Sequence, residues 1–252
     1  MFEYQALTQY QRGDKSKTPL FMIHAASGLS LPYFGMPTLG RPMYGITNPY
    51  FNEPTDDPHR KEFQSIKEMA AAYIDLIKQV QPTGPYLLGG WSFGGIVALE
   101  IAQQLFRRDQ VVLHIVMVDS PRPVNYEFPK DYNYALVDHI ISRAPKSDPD
   151  TTDKIRESYR NVQYLMSKYT TQPYHGKVTL VRCTERDDFP VVMPQWEQEI
   201  EKQYVEDPTN LWSPYLPNLN VVEIAVPHDD VFNPEHVETT TALLKKAIEA
   251  YP

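Results

Sequence analysis

Apolar positions along the chain fall into two patterns. Short runs are almost continuously apolar: PLFMIH (19–24), PMYGIT (42–47), PYLLGGW (85–91), VVLHIVMV (111–118), KVTLVRC (177–183) and NVVEIAV (220–226). Runs of this length and continuity suit strands buried on both faces of a parallel sheet. Between them, apolar residues recur every three or four positions. Ser65, with Glu68 three residues on, is a capping-box signature. The residues after it, Ile66, Met69, Ala70, Tyr73, Ile77 and Val80, keep helical spacing. GIVALEIAQQLF (95–106) is apolar around most of its circumference and predicts a buried helix. A last helix is expected over about 234–250. From 121 to about 174 the alternation breaks into a polar, aromatic-rich segment, where Ile155, Tyr159, Val162 and Met166 follow helical spacing. The pattern predicts an α/β fold in one domain, 1–252, with a mostly parallel sheet flanked by helices. A helical insertion, 121–174, is expected to lie as a lid over the carboxyl ends of the strands, where ligands bind in such sheets.

Composition narrows this picture. The chain has 252 residues and a net charge of −8, without a long Lys/Arg run, so a nucleic-acid partner is not expected. The basic clusters Arg12, Lys15, Lys17 and Lys154, Arg156, Arg160 read as solvated surface. No stretch is long and apolar enough for a membrane span, and no membrane partner is expected. The polar start lacks the apolar segment of a signal peptide, and the single cysteine, Cys183, fits a reducing, cytoplasmic setting.

The stretch GGWSFGG (89–95) sits between an expected strand and an expected helix and contains the pattern G-x-S-x-G around Ser92. Such a turn lifts a serine hydroxyl clear of the sheet, and the next amide, that of Phe93, begins the helix and points at a developing oxyanion. The turn lacks the lysine of a P-loop and the G-x-G-x-x-G spacing of a dinucleotide site. A serine hydroxyl needs a base oriented by a carboxylate, in the chain order Ser, acid, His. His228 follows the last expected strand and opens at the same sheet edge as Ser92; His139, His175 and His236 are weaker candidates, and His114 belongs to the core. Asp119 emerges directly from the strand next to that of Ser92; Glu185, Asp187 and Asp188 are the alternatives. A second oxyanion donor is expected from HAASG (24–28), at the amide of Ala26 or, failing that, Ala25, with His24 holding the loop. No metal site is expected.

PLFMIHAASG, PYLLGGWSFGGIVALEIAQQL, VVLHIVMVDSPRP and VVEIAVPHDDVF together resemble the thioesterase domains of polyketide synthases and nonribosomal peptide synthetases, fungal biosynthetic-cluster versions in particular. The resemblance runs through nearly the whole chain. It departs at Val226-Pro227, where family members often carry Gly-Asp, and at the Ala-Ala-Ser of the oxyanion loop. It implies an α/β-hydrolase fold and a triad of Ser92, Asp119 and His228. It also implies release of an acyl or peptidyl chain from the phosphopantetheine of a carrier protein, by hydrolysis or cyclisation, with no bound cofactor. A general carboxylesterase or lipase and a type II editing thioesterase are the alternatives. Substrate contacts are expected from Trp91, Tyr132 and Tyr159, and an apolar pocket from these together with Tyr134 and Tyr169.

Overall fold

The structure is a computed structural model that describes residues 3–129, 134–143, 147–186 and 195–252. Seven strands form one sheet: β1 (Leu7–Gln11), β2 (Leu20–Ile23), β3 (Met43–Ile46), β4 (Tyr86–Trp91), β5 (Val112–Val118), β6 (Val178–Cys183) and β7 (Leu219–Ile224). Their order is β1-β3-β2-β4-β5-β6-β7, with β1 antiparallel to β3 and every other pair parallel. The helices are α1 (Ile66–Val80), α2 (Phe93–Phe106), α3 (Ala135–Arg143), α4 (Pro149–Lys168), α5 (Gln195–Glu206) and α6 (Val237–Ile248). This is the α/β-hydrolase arrangement that the resemblance implies.

The period-two alternation of each strand divides the core. Phe21, Ile23, Leu88, Ile115 and Met117 pack toward α1 and α2, whereas Leu20, Met22, Leu87, Val116, Val118 and Val181 pack toward α6. Ser65 caps α1 by accepting from the Glu68 amide (3.1 Å). The return bond differs from the expected box: the Glu68 carboxylate accepts from the amide of Gln64 (2.8 Å), one residue before the cap. Lys154, Arg156 and Arg160 are not free solvated charges, because each is paired on the insertion or across it, with Asp150, with Asp138 and Asp153, and with Glu157 and Glu62.

Close approach explains the glycines that end β4 and begin α2. A Cβ on Gly90 would lie 2.2 Å from the Gly94 carbonyl carbon, and one on Gly94 would lie 2.2 Å from the Ile23 carbonyl oxygen. The helix therefore rests directly on the backbone of β2 and β4. Gly94→Ala would gain about 1 kcal/mol of helix propensity, but it meets backbone that has no rotamer to change. Overpacking should dominate, and the variant is expected to lose about 1–3 kcal/mol of unfolding free energy, measured by urea denaturation. Unchanged stability would contradict this tight contact.

Candidate active site

Ser92 occupies the turn between β4 and α2 with φ 54 and ψ −123. Backbone of this hand is strained for a residue with a side chain, and it persists because the turn is held on both sides. The Ser92 amide donates to the Val118 carbonyl (2.8 Å), and the Gly95 amide donates to the Ser92 carbonyl (3.2 Å). Phe93 is the first residue of α2, so its amide belongs to the helix terminus that has no partner inside the helix.

Asp119 leaves the end of β5 with φ 42 and is buried. Its two carboxylate oxygens have different duties. Oδ2 accepts from Nδ1 of His228 at 2.7 Å, whereas Oδ1 accepts from the Cys183 amide (3.1 Å) and from Nδ2 of Asn210 (3.1 Å). Burial alone would raise the Asp119 pKa, but the His228 bond and charge, Asn210 and the Cys183 amide outweigh it and hold the carboxyl below its ordinary value. Burial likewise disfavours charge on His228, yet the hydrogen bond and charge of Asp119, with Asp229 and Glu201 adding, raise its pKa to about 9. The ring keeps 33% of its side-chain surface open to the pocket. Solvent therefore tempers this rise, whose direction is set by Asp119.

Ser92, Asp119 and His228 line one cavity of about 250 Å³. No hydrogen bond joins the Ser92 hydroxyl to the His228 ring in this state; such contacts commonly tighten only when substrate is bound. Ala25 and Ala26 form another edge of the cavity. The expected partners are thus gathered from four separate loops. Trp91 also lines the cavity and packs against His228 (centroids 5.6 Å) and Phe232 (5.6 Å). Tyr159 lines it from α4, beside Val162 and Met166.

Other expectations fare differently. Tyr132 lies outside the described residues, as do Asp187 and Asp188. Tyr134 bonds Glu157 in a separate surface cleft, and Tyr169 is buried against α2 with its hydroxyl on Glu100 (2.8 Å). Neither lines the cavity: Tyr134, just before α3, faces the outer cleft, and Tyr169, at the end of α4, turns into the core. His114 is buried between Thr179 and Tyr251, and burial lowers its pKa to about 4, with Lys177 adding. His175 and Glu185 are exposed. Among the described residues no group of three or more His, Cys, Asp or Glu side chains could hold a metal ion.

Two contributors to the site carry no local sequence pattern that marks them. The amphipathic α5, inserted between β6 and β7, brings Ile200, Glu201 and Tyr204 to the cavity, so its roof is not built by the 121–174 insertion alone. Asn210 sits at φ 49 in a turn organised by Asp207, whose carboxylate accepts from the amides of Thr209 and Leu211. An asparagine tolerates this left-handed backbone better than most residues and still supplies a donor.

The comparisons agree with this geometry. The sequence model of the thioesterase domain family matches residues 18–203. The chain is 27% identical to the thioesterase pytI of Aspergillus terreus, over 93% of this chain and 95% of that protein. It is 32% identical to the non-reducing polyketide synthase crz7 of Cladonia metacorallifera over 69% of its length, which is 8% of the synthase. Among solved structures, the NocB thioesterase domain in covalent complex with a fluorophosphonate nocardicin G analog superposes with a TM-score of 0.72 at 25% identity, covering 92% of this chain and 94% of that one. A seven-stranded α/β-hydrolase sheet, a serine held in a strained strand-to-helix turn and a family match across most of its length together establish that the chain belongs to the thioesterase domain family.

Proposed function

We propose that this thioesterase releases an acyl chain from the phosphopantetheine arm of a carrier protein, through an ester formed on Ser92. The observation that carries the proposal is the arrangement of three side chains on one cavity: a buried carboxylate bonded to a histidine, and a serine beside them at a helix N-terminus. In this reading His228 takes the Ser92 proton as Oγ attacks the thioester carbonyl. Asp119 holds the Nδ1–H tautomer and stabilises the imidazolium. The amides of Phe93 and Ala26 receive the oxyanion. Collapse of the tetrahedral intermediate breaks the C–S bond, and the pantetheine thiolate leaves with the proton returned by His228. Water, or a nucleophile of the chain itself, then attacks the acyl-serine with His228 again as base, and the serine is regenerated. The aliphatic wall of the cavity, including Val124, Leu136, Ile140 and Val162, suits a mostly apolar acyl group, and Trp91 and Tyr159 complete it.

The carrier-bound class of substrate is supported by the relatives, since crz7 is a polyketide synthase and a domain of this size occupies a small part of it. The single cysteine of the chain, the buried Cys183, suits a cytoplasmic setting, and among the described residues no helix is long and apolar enough to cross a membrane. The competing reading, a general esterase with the same triad, differs in its leaving group. An acyl-pantetheine thioester is expected to exceed the matched oxygen ester in kcat/KM by tenfold or more. The reverse order would replace the proposal with the esterase.

A further inference from the structure

His24 and Tyr73 are buried side chains for which the reaction just described has no use. His24 directly follows β2, and Tyr73 lies on the inner face of α1. Nδ1 of His24 is 2.6 Å from the carbonyl oxygen of Ala25, and Nε2 is 2.5 Å from the Tyr73 hydroxyl. A carbonyl oxygen only accepts, so Nδ1 carries the hydrogen. Burial lowers the His24 pKa to about 4, against the hydrogen bond to Ala25, so the ring is neutral at pH 7. Nε2 is therefore an acceptor, and the Tyr73 hydroxyl donates to it. The tautomer is fixed from both sides.

The Ala25 carbonyl belongs to the same peptide group as the Ala26 amide. Ala26 borders the cavity, and the Ala25 carbonyl carries a second bond, from the Gly28 amide (3.1 Å). Donation into a peptide carbonyl draws electron density from its nitrogen and strengthens the N–H as a donor. The next peptide is held independently: Ser158, on α4, donates its hydroxyl to the Ala26 carbonyl at 2.9 Å. Ala26 is thus pinned on both sides, one of them electronically active.

We propose that Tyr73 and His24 are positioning residues for the chemical step. They form a relay, Tyr73 O–H to His24, His24 Nδ1–H to the Ala25–Ala26 peptide, that aims and polarises the Ala26 amide toward the oxyanion. The inference rests on the reading of Ser92 as nucleophile and Ala26 as oxyanion donor. Removing one whole oxyanion donor costs roughly 10²–10³ in kcat in well-studied hydrolases. Loss of the relay leaves the amide in place and weakens it, so the effect is a fraction of that.

The test uses acyl-pantetheine turnover together with an alkyl trifluoromethyl ketone labelled with carbon-13 at its carbonyl. This probe adds to a nucleophilic serine as a hemiketal, and the pKa of the hemiketal oxygen, read by carbon-13 NMR, reports the strength of the oxyanion site. Tyr73→Phe is expected to lower kcat about three- to tenfold with KM unchanged and to raise the hemiketal pKa. His24→Leu should lose more on both readouts. His24→Asn, whose side-chain amide keeps a donor near the place of Nδ1, should recover part of that loss. Wild-type kcat within twofold in Tyr73→Phe, or a lower kcat with an unmoved hemiketal pKa, overturns the relay and leaves the role of Ser92 standing. Absence of a Ser92 adduct in the wild-type protein, or turnover retained in Ser92→Ala, overturns the parent reading and the relay with it.

Discussion

Ser92→Ala is expected to lower thioester turnover by roughly 10⁴–10⁶, the scale seen when the nucleophile of a serine triad is removed. The substitution is a clean one in this fold. Alanine keeps the Cβ, so the penalty for φ 54 is the same in both proteins, and no described side chain loses a hydrogen bond to the serine hydroxyl. Stability should therefore be close to that of the wild type. A fluorophosphonate probe should add one equivalent of mass to the wild-type protein and none to the variant. The choice of probe follows the NocB domain, whose structure holds a covalent fluorophosphonate complex. Turnover above about 1% of wild type in the variant would remove Ser92 from the chemistry.

The second large effect is expected at Asp119, and the two-sided bonding of its carboxylate determines how. In Asp119→Asn, the position of Oδ1 still faces two donors, the Cys183 amide and Asn210 Nδ2. The amide must turn its oxygen toward them, which leaves its NH₂ opposite Nδ1 of His228. Two donors cannot face each other, so the imidazole adopts the tautomer with hydrogen on Nε2, and that nitrogen can no longer take the serine proton. A fall in kcat of about 10⁴ is expected, as for an aspartate-to-asparagine change in other triads. The pH dependence supplies a second readout. A base works only when neutral, so kcat/KM must fall as pH drops through its pKa. Because Asp119 raises the His228 pKa, the acid limb of the wild-type protein is expected above the ordinary histidine value of about 6.5. The residual activity of Asp119→Asn should carry its acid limb at lower pH. A limb that stays in place would separate the limiting ionisation from His228.

Local sequence patterns carried much of the fold, and where they did not, the reasons are physical. Strands β2 to β6 are buried on both faces, so each reads as a nearly unbroken apolar run. Strand β1, LTQYQ, was invisible to the same criterion: it lies at the sheet edge, pairs only with β3 and leaves both faces partly exposed. Helix α5, QWEQEIEKQYVE, is polar over most of its surface and carries only a narrow apolar face, so its few apolar residues were too sparse to announce it. The turn at Ser92 was legible because the G-x-S-x-G spacing and the strand and helix that flank it lie in one short stretch, even though the contacts that demand Gly94 come from the distant Ile23 backbone. Asn210 was not, because its meaning comes from a partner 91 positions away that only the closed sheet brings near. Tyr169 shows the converse failure. Its place in an aromatic-rich insertion suggested the pocket, yet Glu100 on α2 supplies an acceptor in the core, and a buried tyrosine hydroxyl follows its hydrogen bond.

The strand order bears on how the protein acquires activity. Ala26, Ser92, Asp119 and His228 stand at the ends of four different strands, and the first and last are 202 positions apart (228 minus 26). The pairings that bring them together are parallel, and each parallel pair closes only after a long crossover. Folds dominated by such distant contacts form slowly, since loop-closure entropy is lost before the contacts are gained. The strained backbone at Ser92 and Asp119 belongs to turns pinned by those pairings, through Val118 and Val181. Secondary structure should therefore return early during refolding, while turnover waits for the last strand to dock and carry His228 onto Asp119.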